Sequence, residues 1–334
     1  MASRERILVT GGAGFIGSNL IRFLLERTAY DVVSLDRIDE AGTLQRIIGL
    51  AERYPDRLKA IWHDLKAPIN PEHRSLRPLR EPFAHIAHLA AGSHVDRSIR
   101  DPIGHIMDNV LGTGHALEYA RQCQPDAKFL MFSTDEVFGS APDGIAFDEH
   151  ARHWPTNPYA ATKSGAEMLC PAYAHQYGMR IVVTHCCNLY GPNQHTEKFV
   201  PLVMGQIERG ETVQIHALGG VSSTRLYMHV DDACAATLTV MEKGGTIGDD
   251  KSGKYNIVGD HEWSNLEVAQ RIAALMDKPL RYEFVERPPN RPVPDMRYAL
   301  TGEKLRALGW SPKINLDEGL RQVVLGEAIG ERAA

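Results

Sequence analysis

The chain has 334 residues, 43% of them hydrophobic, and a formal net charge of −5 at pH 7. This length exceeds what one compact core usually holds, so we expect a large domain with a smaller lobe. The acidic balance argues against nucleic acid or an anionic membrane surface as partners, and no membrane span or signal peptide is evident. The five cysteines have no metal-ligand spacing, so we expect no metal and a cytoplasmic location.

The first predicted elements form a dinucleotide-binding turn. Residues 6–10 are typical of a short buried strand, and an amphipathic helix follows through about residue 27, with the segment GGAGFIG between them. Glycines in this pattern permit a tight turn, let the backbone approach a pyrophosphate and allow close packing of helix on strand. Because the pattern lies between a strand and a helix, we expect a bound dinucleotide. The predicted contacts are Gly11, Gly14, Phe15, Ile16 and Gly17.

The second predicted strand, residues 31–36, ends in an acid. Asp36 follows the last glycine by about 20 residues, where a carboxylate holds the adenine-ribose hydroxyls in such folds. That acid favours NAD over NADP because it would repel a 2′-phosphate, but the neighbouring Arg37 could accept one, so a strict preference stays open. After a third predicted strand at 58–62, Asp64 is placed with Leu65 to meet the adenine edge, and a simple turn is the alternative.

The following elements continue the alternation of strands and helices. A fourth predicted strand, residues 85–89, ends at Leu89 and leads into Ala90 and Ala91, small residues that suit close passage beneath a cofactor. Further on we expect a helix at 101–123, a strand at 128–132, a helix from 158 and a strand at 180–185. This alternation predicts an α/β fold with a Rossmann-type doubly wound parallel sheet.

The chain changes character after about residue 188, where turns become frequent and elements shorter. A helix is expected to begin near residue 197, and amphipathic helices are expected at 266–276 and 316–329. We expect residues 1–187 to form the dinucleotide-binding domain with the catalytic residues, and residues 188–334 to form a smaller α/β substrate lobe. Part of that lobe is expected to cross back into the first domain.

Residues 133–163 carry the groups with the most evident chemistry. Asn157 and Pro158 are typical of a helix start, which places Tyr159 and Lys163 four residues apart on one helix face. A neighbouring ammonium favours the phenolate form of a phenol and lowers its pKa. The paired acids at 135–136 follow a strand, where open α/β sheets bind ligands. Two proton-transfer tasks are therefore indicated, although such a Tyr–Lys spacing also arises by chance and Asp–Glu pairs often only face solvent.

Several stretches together resemble the extended short-chain dehydrogenase/reductases, and among them the nucleotide-sugar 4,6-dehydratases of the dTDP-glucose 4,6-dehydratase type. The matching stretches are residues 10–17, 88–91, 93–98, 133–139, 157–163, 197–198, 255–257, 297–299 and 308–310. The Thr-Asp-Glu sequence at 134–136 is the specific part, because epimerases and decarboxylases of this fold do not usually carry both acids. A nucleotide-sugar 4-epimerase of the same superfamily remains the alternative.

The resemblance implies a redox-neutral reaction on one tightly held NAD⁺. Tyr159 would take the proton of the sugar C4 hydroxyl, with Lys163 lowering its pKa and binding the nicotinamide ribose. Thr134 would bond the C4 oxygen. Glu136 would remove the C5 proton, and Asp135 would protonate the departing C6 hydroxyl. Hydride return to C6 would then leave a 4-keto-6-deoxy sugar.

The resemblance also implies a substrate and an assembly. Nucleotide-diphosphate hexose contacts are expected at Ser93, Thr134, Asn188, Lys198, Phe199, Arg225, Asn256 and Arg291. We expect dTDP- or UDP-glucose, although Gly92 and Leu189 depart from the residues usual in the family and leave the base and hexose open. The helices at 101–123 and 158–177 are expected to pair across a homodimer.

Overall fold

The structure, a computed structural model, describes residues 4–39, 42–248, 253–286 and 295–327. The strands in chain order are β1 (Arg6–Thr10), β2 (Asp31–Asp36), β3 (Leu58–Trp62), β4 (His85–His88), β5 (Lys128–Thr134), β6 (Ile181–Cys186), β7 (Asn188–Tyr190), β8 (Val213–Leu218), β9 (Val221–Ser222), β10 (Thr224–His229), β11 (Lys254–Ile257), β12 (Glu262–Ser264), β13 (Tyr282–Val285) and β14 (Arg297–Tyr298).

The helices alternate with these strands through the first half of the chain. They are α1 (Phe15–Arg27), α2 (Leu44–Arg53), α3 (Val95–Arg100), α4 (Pro102–His105), α5 (Gly112–Cys123), α6 (Pro158–Tyr177), α7 (Phe199–Glu208), α8 (Val230–Lys243), α9 (Asn265–Leu275), α10 (Glu303–Ala307) and α11 (Leu316–Leu325). Short 3₁₀ helices span Arg74–Arg80 and Asp135–Phe138. Within the described ranges, no helix has both the length and the apolar character needed to cross a membrane.

A seven-stranded parallel sheet forms the centre of the fold, in the order β11-β6-β5-β4-β1-β2-β3. The predicted doubly wound α/β fold is confirmed, and the six strands expected from the sequence are present with small changes at their ends. The seventh strand, β11, comes from the second half of the chain and pairs with β6. Strand order reverses between β1 and β4, and ligands bind at such a switch point in open α/β sheets.

Each face of the sheet is covered by a layer of helices because strand residues alternate between the two faces. Ile7 and Val9 of β1 belong to the core that includes buried residues of α1 and α8. Leu8 between them belongs to the opposite core, with buried residues of α5 and α6. The carboxyl ends of the strands are thereby held in fixed register by two separate apolar layers.

The second half of the chain also builds a smaller lobe. Strands β12, β10 and β14 form one sheet that β7 extends, and β13, β8 and β9 form another. A third core packs α7, α9 and α11 together, with Ile215 and Ile272 among its fully buried residues. The link between β8 and β9 is a tight turn in which Gly219 and Gly220 have positive φ angles of 57° and 78°.

Two predicted helices differ in the structure. The helix expected at 101–123 is continuous in direction but contains a π-helical segment, Ile106–Leu111, between α4 and α5. Such segments are frequent at functional sites. The helix expected to reach residue 329 ends at Leu325, because Gly326 takes a left-handed conformation with φ 70° and closes the helix.

Candidate functional site

One cavity of about 640 Å³ runs along the carboxyl ends of the central strands and continues toward the smaller lobe. All the residues predicted to bind the cofactor line it, as do the five predicted catalytic residues. Of the predicted substrate contacts, Ser93, Asn188, Lys198 and Phe199 line it as well. The fold therefore gathers residues that are more than 100 positions apart in the chain around a single space.

The glycine turn between β1 and α1 is shaped by close backbone contacts. Gly11 has φ +73°, and a Cβ there would lie 2.7 Å from the backbone nitrogen of Ala90. A Cβ at Gly17 would lie 2.1 Å from the Gly11 carbonyl oxygen. Helix α1 starts at Gly14 with neither a capping side chain nor an acid in its first turn, so its first N–H groups are available to an anion. These features fit the pyrophosphate of a dinucleotide.

The far end of β2 presents Asp36 to the cavity. Its carboxylate accepts hydrogen bonds from the backbone N–H of Ala13 at 2.9 Å and of Ile38 at 2.7 Å. Burial raises the pKa of Asp36 from its ordinary value, while these two hydrogen bonds oppose the shift. The acid is thus held by the glycine turn, in the place where a ribose hydroxyl would meet it.

Arg37 beside it is engaged by acids. Its guanidinium donates to both oxygens of Asp108, at 2.5 and 3.0 Å, and to Asp39 at 2.6 Å. The hydrogen bond with Asp108 is the largest cause of a raised pKa at Arg37. A side chain bound in this way on several sides has little capacity left for a 2′-phosphate, which agrees with NAD as the cofactor.

Helix α6 carries the phenol and the ammonium into the opposite end of the cavity. Asn157 caps this helix by accepting a hydrogen bond from the Ala160 N–H, and the Tyr159 N–H donates to the Ser98 hydroxyl at 3.0 Å. Lys163 donates to the carbonyl of Phe132 at 2.7 Å. Burial lowers the pKa of Lys163 to about 8, against the opposing charge of Glu167.

The surroundings of the Tyr159 phenol act mainly against its ionisation. Burial raises the pKa of Tyr159, the charge of Glu136 raises it further, and a hydrogen bond with Thr134 lowers it in part. The Lys163 ammonium donates to a backbone carbonyl, and its expected effect on the phenol stays a prediction. The sequence interpretation considered the helix face alone and left out the desolvation of the ring.

The two adjacent acids lie in different environments. Asp135 is 3% exposed, its Oδ1 accepts from the Thr134 hydroxyl at 3.1 Å, and its Oδ2 has no partner among the described residues. Burial, followed by the charge of Glu136, raises the pKa of Asp135 to about 7. Glu136 is half-buried and accepts a hydrogen bond from the Asn157 amide. One acid is therefore disposed to hold a proton near neutrality and the other has a hydrogen-bond donor at its carboxylate.

Lys198 lines the cavity, and its ammonium donates to the Ser93 carbonyl at 2.9 Å. Glu197 beside it accepts from Arg97 at 2.9 Å and lies 3.6 Å from the His94 ring. These contacts join the segment before α7 to helix α3 across the cavity.

Arg225 does not line the cavity. Its guanidinium donates hydrogen bonds to the backbone carbonyls of Thr224, Asp295 and Met296. It also lies 4.5 Å from the centre of the Tyr298 ring. Its charge nevertheless lowers the pKa of Asp135, which places it within electrostatic range of that acid.

Asn256 is also not brought to the cavity. It is fully buried, and its amide donates to the carbonyls of Phe147 at 3.2 Å and Thr301 at 3.0 Å. Its oxygen therefore faces His185 Nδ1 at 3.0 Å, so that nitrogen donates. In this position the Asn256 side chain ties strand β11 to the backbone at Phe147 and Thr301. Arg291, the remaining predicted contact, lies outside the described residues.

A buried polar cluster lies behind the cavity. His153, Glu167 and His185 place ligand atoms within 4.8 Å of one another, a spacing that a metal ion could use. However, the Lys254 ammonium donates to Glu167 at 2.8 Å, and the Glu167 carboxylate also accepts from His185 Nε2. Burial alone would raise the pKa of Glu167, but the neighbouring His185 and Lys254 and the hydrogen bonds it accepts hold that pKa well below its usual range.

The sequence interpretation did not identify every residue of the site. Asp108 and the bond from Asn157 to Glu136 were both missed, although Asn157 was assigned as a helix cap. The only sequence signal for Asp108 is weak, namely a polar residue in the π-helical segment. No local pattern indicates the hydrogen bond from Asn157 to Glu136, because the two residues are 21 positions apart.

Comparison with known proteins places these features in a family. The family described as GDP-mannose 4,6 dehydratase matches residues 8–323. The low-salt glycan biosynthesis protein Agl12 of Haloferax volcanii is 37% identical over 95% of this chain and 97% of its own length. A dTDP-glucose 4,6-dehydratase of Escherichia coli is 35% identical over 96% and 91% of the two chains.

Solved structures agree with the sequence comparison. A dTDP-glucose 4,6-dehydratase from Streptomyces venezuelae, determined with NAD bound, superposes with a TM-score of 0.84 at 33% identity and 96% coverage of both chains. A UDP-glucose 4-epimerase from Thermus thermophilus, also with NAD, gives a TM-score of 0.82 at 28% identity, covering 96% of this chain and 97% of its own.

Proposed function

This chain belongs to the NAD-dependent nucleotide-sugar 4,6-dehydratases of the extended short-chain dehydrogenase/reductases, and we propose that its substrate is dTDP-glucose or UDP-glucose. Such an enzyme is a hydro-lyase that forms a 4-keto-6-deoxyhexose. The observation that carries the assignment of roles is the convergence of Tyr159, Asp135 and Glu136 on one cavity beside a dinucleotide-binding turn.

NAD, when bound, supplies the group that accepts a hydride from the sugar and later returns it. The first turn of α1 would hold its pyrophosphate, and Asp36 would hold its adenine ribose. Support for this orientation comes from the sheet order: Asp36 ends β2, Tyr159 meets Thr134 at the end of β5, and β4 and β1 lie between these strands.

The proposed chemistry assigns one proton transfer to each side chain. Tyr159 takes the proton from the C4 hydroxyl while hydrogen leaves C4 as hydride. Thr134 donates a hydrogen bond to the C4 oxygen. Glu136 then removes the C5 proton, which the new 4-keto group has made acidic. Asp135 gives its proton to the C6 hydroxyl, so the C6–O bond breaks and water leaves as the C5–C6 double bond forms. Hydride return to C6 and a proton at C5 complete the product.

The carboxyl pair supports this assignment over a 4-epimerase. An epimerase needs Tyr159 and Lys163 for the hydride step and has no use for a general acid at residue 135. Here the Asp135 carboxyl is buried with a raised pKa and an unpartnered oxygen, features that suit a proton donor.

The structure also supports proposals on assembly and location. Apolar side chains are exposed along the two helical stretches expected to pair between subunits, namely Ile103, Ile106, Met107, Met168 and Tyr177. We propose that they are covered in a homodimer, which light scattering would report as twice the chain mass of 37.1 kDa. All five cysteines are free thiols, which suits a reducing cytoplasm.

The decisive experiment pairs a substrate panel with one variant. The protein is incubated with dTDP-glucose, UDP-glucose, CDP-glucose, GDP-mannose and UDP-N-acetylglucosamine, and loss of one water is followed by mass spectrometry. With the best substrate, Glu136→Gln should abolish water loss yet still allow C4 oxidation, seen as NADH absorbance. Water loss at the normal rate in that variant would remove Glu136 from its proposed role.

A further inference from the structure

The amide of Asn157 has a defined orientation. Its oxygen accepts a hydrogen bond from the Ala160 N–H at 2.9 Å, as the cap of α6. A backbone N–H can only donate, so the oxygen must face Ala160 and the nitrogen must face the other way. That nitrogen donates to Glu136 Oε2 at 2.9 Å. The assignment of both contacts therefore follows from the helix cap alone.

The two segments that meet in this hydrogen bond also contact each other next to it. The Trp154 N–H donates to the Val137 carbonyl at 2.9 Å. Gly139 has φ +75°, and a Cβ there would lie 2.4 Å from the Trp154 carbonyl oxygen. Thr156, the residue before Asn157, is tied to a third segment, because its hydroxyl donates to the Asp295 carboxylate at 2.8 Å. The contact between Asn157 and Glu136 is thus part of a packed joint between the two loops.

We propose that Asn157 is a positioning residue for Glu136, holding the carboxylate that removes the C5 proton in register with the helix that carries Tyr159. The inference rests on the role given to Glu136 under the proposed function. The Asn157 oxygen caps the start of α6, the helix that carries Tyr159, and the Asn157 nitrogen holds the Glu136 carboxylate. The same side chain therefore positions both the phenol and the base. With Oε2 held by the amide, Oε1 is left to meet the C5 hydrogen.

This arrangement predicts a step-selective defect. Displacing a reacting group by about 1 Å can cost roughly a hundredfold in rate, because the geometry of attack is lost. Loss of the amide donor should slow proton removal from C5 and leave the Tyr159-dependent oxidation of C4 near its normal rate. A residue that merely capped the helix would instead affect both steps together, because Tyr159 and Lys163 lie in the first turns of α6.

Two substitutions separate the donor from the cap. Asn157→Ser retains a good helix cap but its hydroxyl is too short to replace the donor to Glu136, and Asn157→Asp retains the cap while placing a second carboxylate against Glu136. The matched control is Asn315, which caps α11 by accepting from the Glu318 N–H at 2.9 Å in an exposed region. Asn315→Ser and Asn315→Asp make the same chemical changes at a cap that does not contact the cavity.

The experiment is a single turnover of the holoenzyme with the substrate found above. NADH absorbance reports C4 oxidation, and incorporation of solvent deuterium at C5 with loss of water reports the later steps. For both Asn157 variants we expect oxidation close to wild type, accumulation of NADH, and water loss slowed roughly 10- to 100-fold, more in the aspartate variant. The Asn315 variants should match wild type in both steps.

The outcomes separate this inference from the function on which it rests. If Glu136→Gln stalls water loss and the Asn157 variants do not, or if they slow both steps equally, Asn157 is only a cap and the inference is wrong. If Glu136→Gln itself loses water normally, the role proposed for Glu136 has failed and the inference fails with it.

Discussion

Replacing Asp135 by Asn should make the protein more stable and at the same time less active. Asp135 is buried, and desolvation together with the charge of Glu136 raises its pKa from 3.8 to about 7. Asparagine has nearly the same shape but no charge to bury and no acidic proton to give. The proposed general acid therefore supplies a proton for the reaction but lowers the stability of the folded protein.

The sign and size follow from the pKa in the two states. In the unfolded chain the carboxyl ionises near 3.8, whereas in the folded protein it keeps its proton to about 7, so stability falls as pH rises through this window. Above pH 7 the buried charge costs at most about 4 kcal/mol, from roughly 1.4 kcal/mol for each pKa unit. The gain on substitution should shrink by about 1.4 kcal/mol for each pH unit below 7.

The assay compares unfolding of wild type and Asp135→Asn, at equal NAD occupancy, at about pH 8 and about pH 5.5. We expect the variant to unfold several degrees higher at the alkaline pH and to approach wild type at the acidic one. Asp126→Asn, at an exposed aspartate, is the control and should change neither. Water loss by the wild type should fall about tenfold per pH unit above 7 as Asp135 deprotonates, and the variant should lose a factor of roughly 10² to 10⁴. A stability difference that does not change with pH would refute the reasoning.

Three other substitutions test separate parts of the structure. Tyr159→Phe should lower turnover by roughly 10² or more while NAD remains bound, because the ring is kept and the proton acceptor is lost; a variant that still oxidises C4, seen by NADH absorbance, would contradict this. Gly17→Ala should abolish NAD binding in titration calorimetry because the Cβ meets a backbone oxygen at 2.1 Å, and normal affinity would show that the turn can relax. Gly139→Ala should destabilise more than Gly144→Ala in thermal unfolding, since both have positive φ but only the first meets a carbonyl, at 2.4 Å; equal losses would mean that strain alone matters.

The parts of the fold that could be predicted are those set by local pattern. The turn at 11–17 requires glycines because side chains would clash there. The strands of the central sheet are apolar runs bounded by turn residues. The start of helix α6 was predicted where it is observed, because Asn157 is a good N-cap and Pro158 suits the first helical position. In each case neighbours in the sequence determine the conformation.

What could not be predicted depends on contacts between distant residues. The hydrogen bond from Lys163 to the Phe132 carbonyl joins residues 31 positions apart, and only the packing of α6 on β5 reveals it. Helix α8 was missed, although its buried face and the acids of its first turn give a usable signal. Asn256 was transferred to the substrate by resemblance, whereas its buried side chain is tied to the backbone at Phe147 and Thr301.

Strand β11 is the outermost member of the central sheet and comes from the second half of the chain. Its position means that the dinucleotide-binding half is incomplete until residue 257 has been synthesised. Until then β6 is an unpaired edge strand, and all its residues are of the kind that the folded protein buries. Such an edge favours association between unfinished chains. We therefore expect a fragment that ends before β11 to aggregate, and the nascent chain to depend on prompt arrival of its second half.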